Sequence, residues 1–203
     1  NLEATVTKNY EKALNDMNEA IRLHPQESQY YVIRAHIYYN LDNYDGAMED
    51  YGNAINLDPY NMIAYYNRGI LRTEIHDINR AIDDFSMVLR LKPNDYRTLY
   101  NRAILYRNIH DFDNALSDVS KVIEVLPEFA VAHFLRSEIY KEMGDNRKAF
   151  QEYDKSIALV KRLSSSEDTR KIGNPFTKAL ESNDPNLAEV VAKQFSELIK
   201  VNK

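Results

Sequence analysis

SQYYVIRAHIYYNLDNYDGAMEDYGNAINLDPYN, residues 28–61, ends near the phrase Leu57-Asp58-Pro59, and that phrase sets the ruler for the whole chain. It recurs as Leu23-His24-Pro25, Leu91-Lys92-Pro93 and Val125-Leu126-Pro127, each proline 34 residues from the next. Alanines keep the same interval at Ala13, Ala47, Ala81, Ala115 and Ala149, and arginines keep it at Arg34, Arg68, Arg102 and Arg136. A fixed period of this length marks a small supersecondary unit that is stacked on copies of itself.

With each proline at position 32, the repeats run 28–61, 62–95, 96–129 and 130–163, and 1–27 is the second half of a truncated repeat. Tyr65, Gly69 and Arg72 lie at i, i+4 and i+7, one face of a helix, and Ala81, Phe85 and Val88 make a second such face. Two helices per repeat follow. Asn9, Asn43, Asp77, Asp111 and Asp145 precede the second helices, and their side chains can accept from free N–H groups there. Small residues at positions 8 and 20 allow the paired helices to approach closely. A single pair cannot bury its apolar face, so neighbouring pairs must stack.

Tyr31, Ala35, Tyr38, Ala47, Tyr51, Ala54 and Pro59 make this pattern similar to that of the tetratricopeptide repeat family. The next repeat matches with Tyr65, Gly69, Ala81, Phe85 and Pro93 but carries Arg72 where tyrosine is usual. The third matches with Leu99, Ala103, Tyr106, Ala115 and Pro127, and the fourth keeps Tyr140, Ala149 and Tyr153 without the proline. The resemblance covers about residues 8–163 and implies an all-α, right-handed α-solenoid of antiparallel helix pairs. It also implies a protein-interaction scaffold with a concave groove that binds an extended peptide or partner helix.

Composition narrows the function classes. The chain has 203 residues, 44% hydrophobic and 28% charged, which suits a folded protein with a buried core. A net charge of −5 without basic clusters argues against general nucleic-acid binding. No apolar run reaches the roughly 18 residues of a membrane span. There is no cysteine, hence neither a disulfide framework nor a thiolate metal site, and the compartment stays open. The chain starts at Asn1 rather than Met, which reads as a piece of something longer.

The tail, 164–203, departs from the ruler. Ser164-Ser165-Ser166 and the stretch to Gly173 and Pro175 read as a linker. Asp184-Pro185 reads as a helix start, and Leu187, Val190, Val191, Gln194, Phe195 and Leu198 form an amphipathic face. The expected helix at about 186–200 packs either on the last repeat as a cap or on another body.

Candidate binding residues follow from the resemblance, which places positions 2, 5, 6, 9, 12 and 13 on the groove. Position 5 holds Val32, Tyr66, Tyr100 and Phe134, surrounded by His36, Tyr39, Asn67, Ile70, Arg97, Asn101, Ile104 and Arg107. Aromatic rings beside amide and guanidinium groups suit a binding surface; the alternative is that the rings pack on neighbouring helices. The two-carboxylate clamp of chaperone-binding relatives is incomplete, since only Asn67 and Arg97 fit it among Val32, His36, Asn67, Arg97 and Asn101.

Arg34, Arg68, Arg102 and Arg136 at position 7 accompany an acid at position 23: Asp16, Asp50, Asp84, Asp118 and Glu152. Ion pairs are expected, either inside a repeat or across to the next. His76-Asp77 and His110-Asp111 fall in the turn between helices and lack the further ligands a transition metal requires. No nucleophile with an adjacent base and no phosphate-binding glycine loop is present. The reading is therefore a non-enzymatic module with no cofactor and no metal, a protein or peptide partner, no nucleic acid and no membrane insertion. The alternative is an architectural spacer or self-association segment acting through the tail helix.

Overall fold

Leucines and alanines at helix spacing, with prolines only at the ends of units, leave the chain few conformations other than helix. The computed structural model of the protein describes residues 2–165, with side chains described from 9 to 162. Ser164 and Ser165, read as the start of the linker, belong to the last described helix, and the rest of the linker and the helix expected at 186–200 lie outside the described residues.

All regular structure among the described residues is helical: α1 (Leu2–Leu23), α2 (Ser28–Asn40), α3 (Tyr44–Leu57), α4 (Met62–Glu74), α5 (Ile78–Leu91), α6 (Tyr96–Asn108), α7 (Phe112–Val125), α8 (Ala130–Glu142) and α9 (Asn146–Ser165). The chain forms two compact units, one ending at Thr98 and the other starting at Leu99. In the first, α2 packs on α3 and α4 on α5, with α1 against α2 and α3 against α4. In the second, α8 packs on α9 and α7 on α8.

One expected helix start needs correction, and one expected side-chain cap is missing. Asn9 does not begin a helix, because α1 runs through it from Leu2, and no proline or glycine interrupts Leu2–Leu23. Asp77 occupies the residue before α5 but makes no side-chain cap, its carboxylate turning to the Arg80 guanidinium at 3.4 Å. The other caps form: Asn43 accepts from the Gly46 N–H at 3.0 Å, Asp111 from Asn114 at 3.3 Å and Asp145 from Lys148 at 3.1 Å.

The first helix of each pair ends in a left-handed residue: Asp42, His76, His110 and Gly144 all have positive φ. The following N–H groups, of Asn43, Asp77, Asp111 and Asp145, donate back to the carbonyls of Tyr38, Arg72, Tyr106 and Tyr140 at 2.8–2.9 Å. This closes the helix end and reverses the chain.

Between the helices, Ala35, Ala47, Ala54, Ala81, Ala103 and Ala115 are wholly buried, so the backbones meet without an intervening side chain. Val32, Tyr51, Ala64 and Leu71 join Ala35, Ala47 and Ala54 in one cluster of the first unit.

The arginine ladder resolves as pairs inside each repeat, 16 residues apart. Arg34 donates through Nε and Nη2 to Asp50 at 2.6 and 2.8 Å, Arg68 to Asp84 at 3.0 and 2.8 Å, and Arg102 to Asp118 at 2.7 and 2.8 Å. Arg136 directs both groups to one oxygen of Glu152, at 3.1 and 2.8 Å. The remaining Nη1 reaches the preceding repeat at position 25: Arg34 to Asn18 at 2.8 Å and Arg136 to Ser120 at 3.3 Å.

Glycines at two register positions give opposite expectations. A Cβ on Gly69 would sit 2.8 Å from Cε1 of the wholly buried Phe85, whereas one on Gly52 would meet nothing within 4 Å. Gly69→Ala should therefore destabilise by about 1–3 kcal/mol despite alanine's better helix propensity. Gly52→Ser, at position 25, should stabilise by roughly 0.5–1.5 kcal/mol, from helix propensity and an added acceptor for Arg68. Urea unfolding of both variants against wild type checks the two signs.

Candidate partner-binding surface

Position 5 is held from below. The Tyr66 ring lies 5.9 Å from that of Phe85 at position 24, and Phe134 lies 6.5 Å from Tyr153 at the same position. Both are half-buried. Val32 and Tyr100 go deeper, 4% and 5% exposed, Val32 in the cluster of the first unit and Tyr100 with its ring 5.8 Å from that of Phe129. Burial pushes the Tyr100 phenol above its ordinary pKa. The four residues thus divide into two of the core and two that keep part of their surface open.

Position 12 is used between repeats. Tyr39 donates its hydroxyl to Glu74 at 2.6 Å, and Arg107 donates to Glu142 and, at 3.5 Å, to Glu138. The Tyr39 phenol is raised by burial and by the Glu74 contact. Asn67, Ile70, Asn101, Ile104 and His36 are half-buried on their helices.

A recess of the first unit centres on position 2, whose individual residue Ile63 the repeat pattern did not single out. Met62, Ile63, Tyr66, Val88, Lys92, Asp95 and Arg97 line a cavity of about 200 Å³. Ile63 is 53% exposed and the adjacent Tyr60 is 73% exposed. Lys92 is matched by Asp95 at 2.8 Å, and Asp95 also accepts from the Thr98 hydroxyl and N–H at 2.7 and 3.2 Å. Burial would raise the Asp95 carboxyl, but the Lys92 and Thr98 hydrogen bonds outweigh it and hold its pKa below the usual range. Arg97, exposed at the rim, donates to the neutral Tyr96 hydroxyl at 3.3 Å. An apolar floor with a guanidinium at its edge can take an apolar side chain beside a hydrogen-bond acceptor or an anion. The signal for Ile63 was its register, since position 2 belongs to the groove set; what the pattern could not supply was its exposure.

His76 and His110 are exposed residues of the left-handed turns. Among the described residues, no three His, Asp or Glu side chains gather as a metal cluster would need, and no helix is long and apolar enough to cross a membrane.

Comparison with known proteins agrees with the repeat reading. One family profile, described as TPR repeat, matches residues 35–74, and a second, tetratricopeptide repeat, matches 130–159. The chain is similar to the crystal structure of MamA, with 18% identity, a TM-score of 0.74, and coverage of 81% of this chain and 96% of that one. A MamA fragment from Desulfovibrio magneticus RS-1, residue 41 to its end, gives 19% identity, a TM-score of 0.72 and the same coverages. YrrB, described as a TPR protein with an unusual peptide-binding site, gives 23% identity, a TM-score of 0.69 and coverage of 78% and 81%. Among curated protein sequences nothing matches.

A buried cluster of charged groups lies in the second unit, and its members are bonded to one another. Glu152, 6% exposed, faces His133 Nδ1 at 2.8 Å, Arg136 and, through its other oxygen, Lys155 Nζ at 2.8 Å. The second ring nitrogen of His133 faces the Pro127 carbonyl at 3.1 Å. Burial alone would raise the Glu152 carboxyl, but the hydrogen bonds from Lys155, His133 and Arg136 together bring it down to about 2. The ionised form therefore stabilises the fold fully above 4.5, and that contribution is lost as pH falls from 4.5 towards 2. Glu152→Gln should be less stable than wild type near neutral pH, with the difference shrinking through this acid window. Urea unfolding across the pH range measures it, and a difference independent of pH would contradict the assignment.

Proposed function

We propose, for a chain that is a tetratricopeptide-repeat protein, that it is a non-catalytic protein-interaction module whose first unit receives a peptide or partner helix at the Ile63–Tyr66–Arg97 recess. The observation that carries the reading is the recess itself: an exposed isoleucine and a half-buried tyrosine floor it, and an exposed arginine borders it. Large apolar side chains that stay open beside a polar rim are what protein-binding surfaces are built from. The peptide-binding site named for YrrB is a property of that protein, and it supports a peptide as the first ligand class to try. Asn67 and Ile70 continue the surface along α4, and His36 and Tyr39 belong to the corresponding register of α2. In the second unit, Asn101, Ile104, Arg107 and Phe134 are the equivalent candidates. Val32 and Tyr100 support the surface from the core.

The test is selection of peptides from a displayed library on the full chain, followed by titration against variants. Ile63→Asp and Arg97→Glu should each weaken a selected peptide by about 1–3 kcal/mol, roughly 5-fold to more than 100-fold. Melting should stay close to wild type, because both side chains are exposed in the free protein. Ile109→Asp, an exposed apolar residue in a turn, is the control and should bind normally. Unchanged affinity in both recess variants would remove the recess from the binding surface.

A further inference from the structure

Position 25 holds Asn18, Gly52, Ser86, Ser120 and Asp154, and Gly52 is the one member without a side-chain oxygen. What faces this position gives the loss a consequence. Arg34 and Arg136 spend Nε and Nη2 on the acid of their own repeat and send Nη1 to Asn18 and Ser120, each on the second helix before them. Arg68 grips Asp84 with the same two atoms, at 3.0 and 2.8 Å, so its fork is turned the same way and Nη1 is directed at α3 beside Gly52. Among the described residues that nitrogen has no acceptor, and a Cβ on Gly52 would meet nothing within 4 Å.

Charge is out of balance at the same place. Arg72, one turn after Arg68 on α4, stands where the other repeats have Tyr38, Tyr106 and Tyr140, and it donates to the same carboxylate at 2.7 Å. Two guanidinium groups therefore share one acid, and their side chains are only 17% and 15% exposed. Arg80 is matched by Asp77 at 3.4 Å and leaves the sum unchanged. In the preceding repeat, Arg34 and Asp50 balance one for one. The repeat 62–95 thus brings together a surplus positive charge, an N–H donor without an acceptor and room for a small group, at helices α3, α4 and α5 that pack on one another in sequence.

We infer that Gly52, Arg68 and Arg72 form a binding site for a small oxyanion, a carboxylate or a phosphate group, which takes the place of the missing position 25 side chain. The chemistry selects the class of ligand. A guanidinium N–H bonds more strongly to an ionised oxygen than to the neutral amide of Asn18 or hydroxyl of Ser120, and an anion also offsets the surplus charge. Size selects within the class, since the space is that of one short side chain and an acetate ion has about the bulk of the asparagine it replaces. An ion held there bonds to α4 and lies against α3, so its binding stabilises the first unit. The inference is independent of the Ile63–Tyr66–Arg97 recess, and either can fail alone.

The test compares the full chain with Gly52→Ala, Gly52→Ser and Arg72→Tyr. Alanine adds bulk without an acceptor, serine supplies the acceptor from within, and tyrosine restores the residue of the sister repeats and removes the surplus charge. Each protein is melted at neutral pH while chloride is replaced stepwise by acetate or by phosphate at constant ionic strength. With at least one of the two anions, the Tm of wild type and Gly52→Ala should rise to a plateau, by about 3–6 °C at tenfold excess over Kd. Gly52→Ser and Arg72→Tyr should rise by less than half as much, and the Arg68 side-chain N–H resonance of isotope-labelled wild type should shift saturably over the same range. A plateau with acetate alone identifies the ligand as a carboxylate, and one with phosphate alone identifies it as a phosphate group. Equal rises in all four proteins, a rise without a plateau, no rise in wild type, or an Arg68 resonance that does not move would each overturn the site.

Discussion

The pairing of a position 7 arginine with a position 23 carboxylate is the constraint on which the rest of each repeat depends. Asp50, Asp84 and Asp118 are 2%, 2% and 5% exposed, and a carboxylate so removed from water is tolerable only when its oxygens are taken up by strong donors. The guanidinium fork meets both oxygens at once and so fixes one helix against the other in angle and in height. Tyrosines at positions 4 and 11 then lie against the guanidinium: Tyr31 and Tyr38 at 5.7 and 5.8 Å from Arg34, Tyr65 at 5.6 Å from Arg68, and Tyr106 at 5.5 Å from Arg102. The high tyrosine content thus has part of its explanation in shielding these charges.

The departures from the pattern follow from the same pair. Arg72 stands where the other repeats have tyrosine, and it turns to the same carboxylate, donating to Asp84 at 2.7 Å and to the Arg80 carbonyl at 3.2 Å. Burial is the leading influence on it and lowers its pKa; Asp84 opposes this, and the neighbouring Arg68 guanidinium adds to the lowering. Glu152 is one methylene longer than the aspartates, so Arg136 reaches only one of its oxygens and the other is left for Lys155. His133 enters the same cluster. The longer acid, together with His133 at the position where earlier repeats hold Tyr31, Tyr65 and Leu99, gives a four-membered network in place of a pair.

Much of this was legible in the sequence, and the limits have physical reasons. The 34-residue ruler located the helix pairs, three of the caps beneath them and the alanines that let backbones touch, because these depend on local chemistry repeated in register. It could not decide whether Arg34 meets Asp16 or Asp50, since separations of 18 and 16 residues are both compatible with neighbouring helices; the angle of packing chose Asp50. Exposure along position 5 was equally closed to it. Tyr66 and Tyr100 share a register and a residue type, but the first is half-buried beside Phe85 while the second packs against Phe129 and sinks into the core.

The same distinction separates framework from function. Residues that recur in register, the arginines, acids and alanines, are committed to the repeat by their partners and have little left to offer another molecule. Surface left open to another molecule therefore lies where the register is kept but the partner changes. Ile63 occupies a groove position and is 53% exposed, while Val131, at the same position two repeats on, is 1% exposed. Arg97, again at that position, meets a neutral hydroxyl where the ladder arginines meet carboxylates. Phe150 repeats an apolar position whose earlier members are half-buried and leaves it open. In a protein built by repetition, the places where one copy differs in exposure from its sisters are the places where the surface is available to a partner.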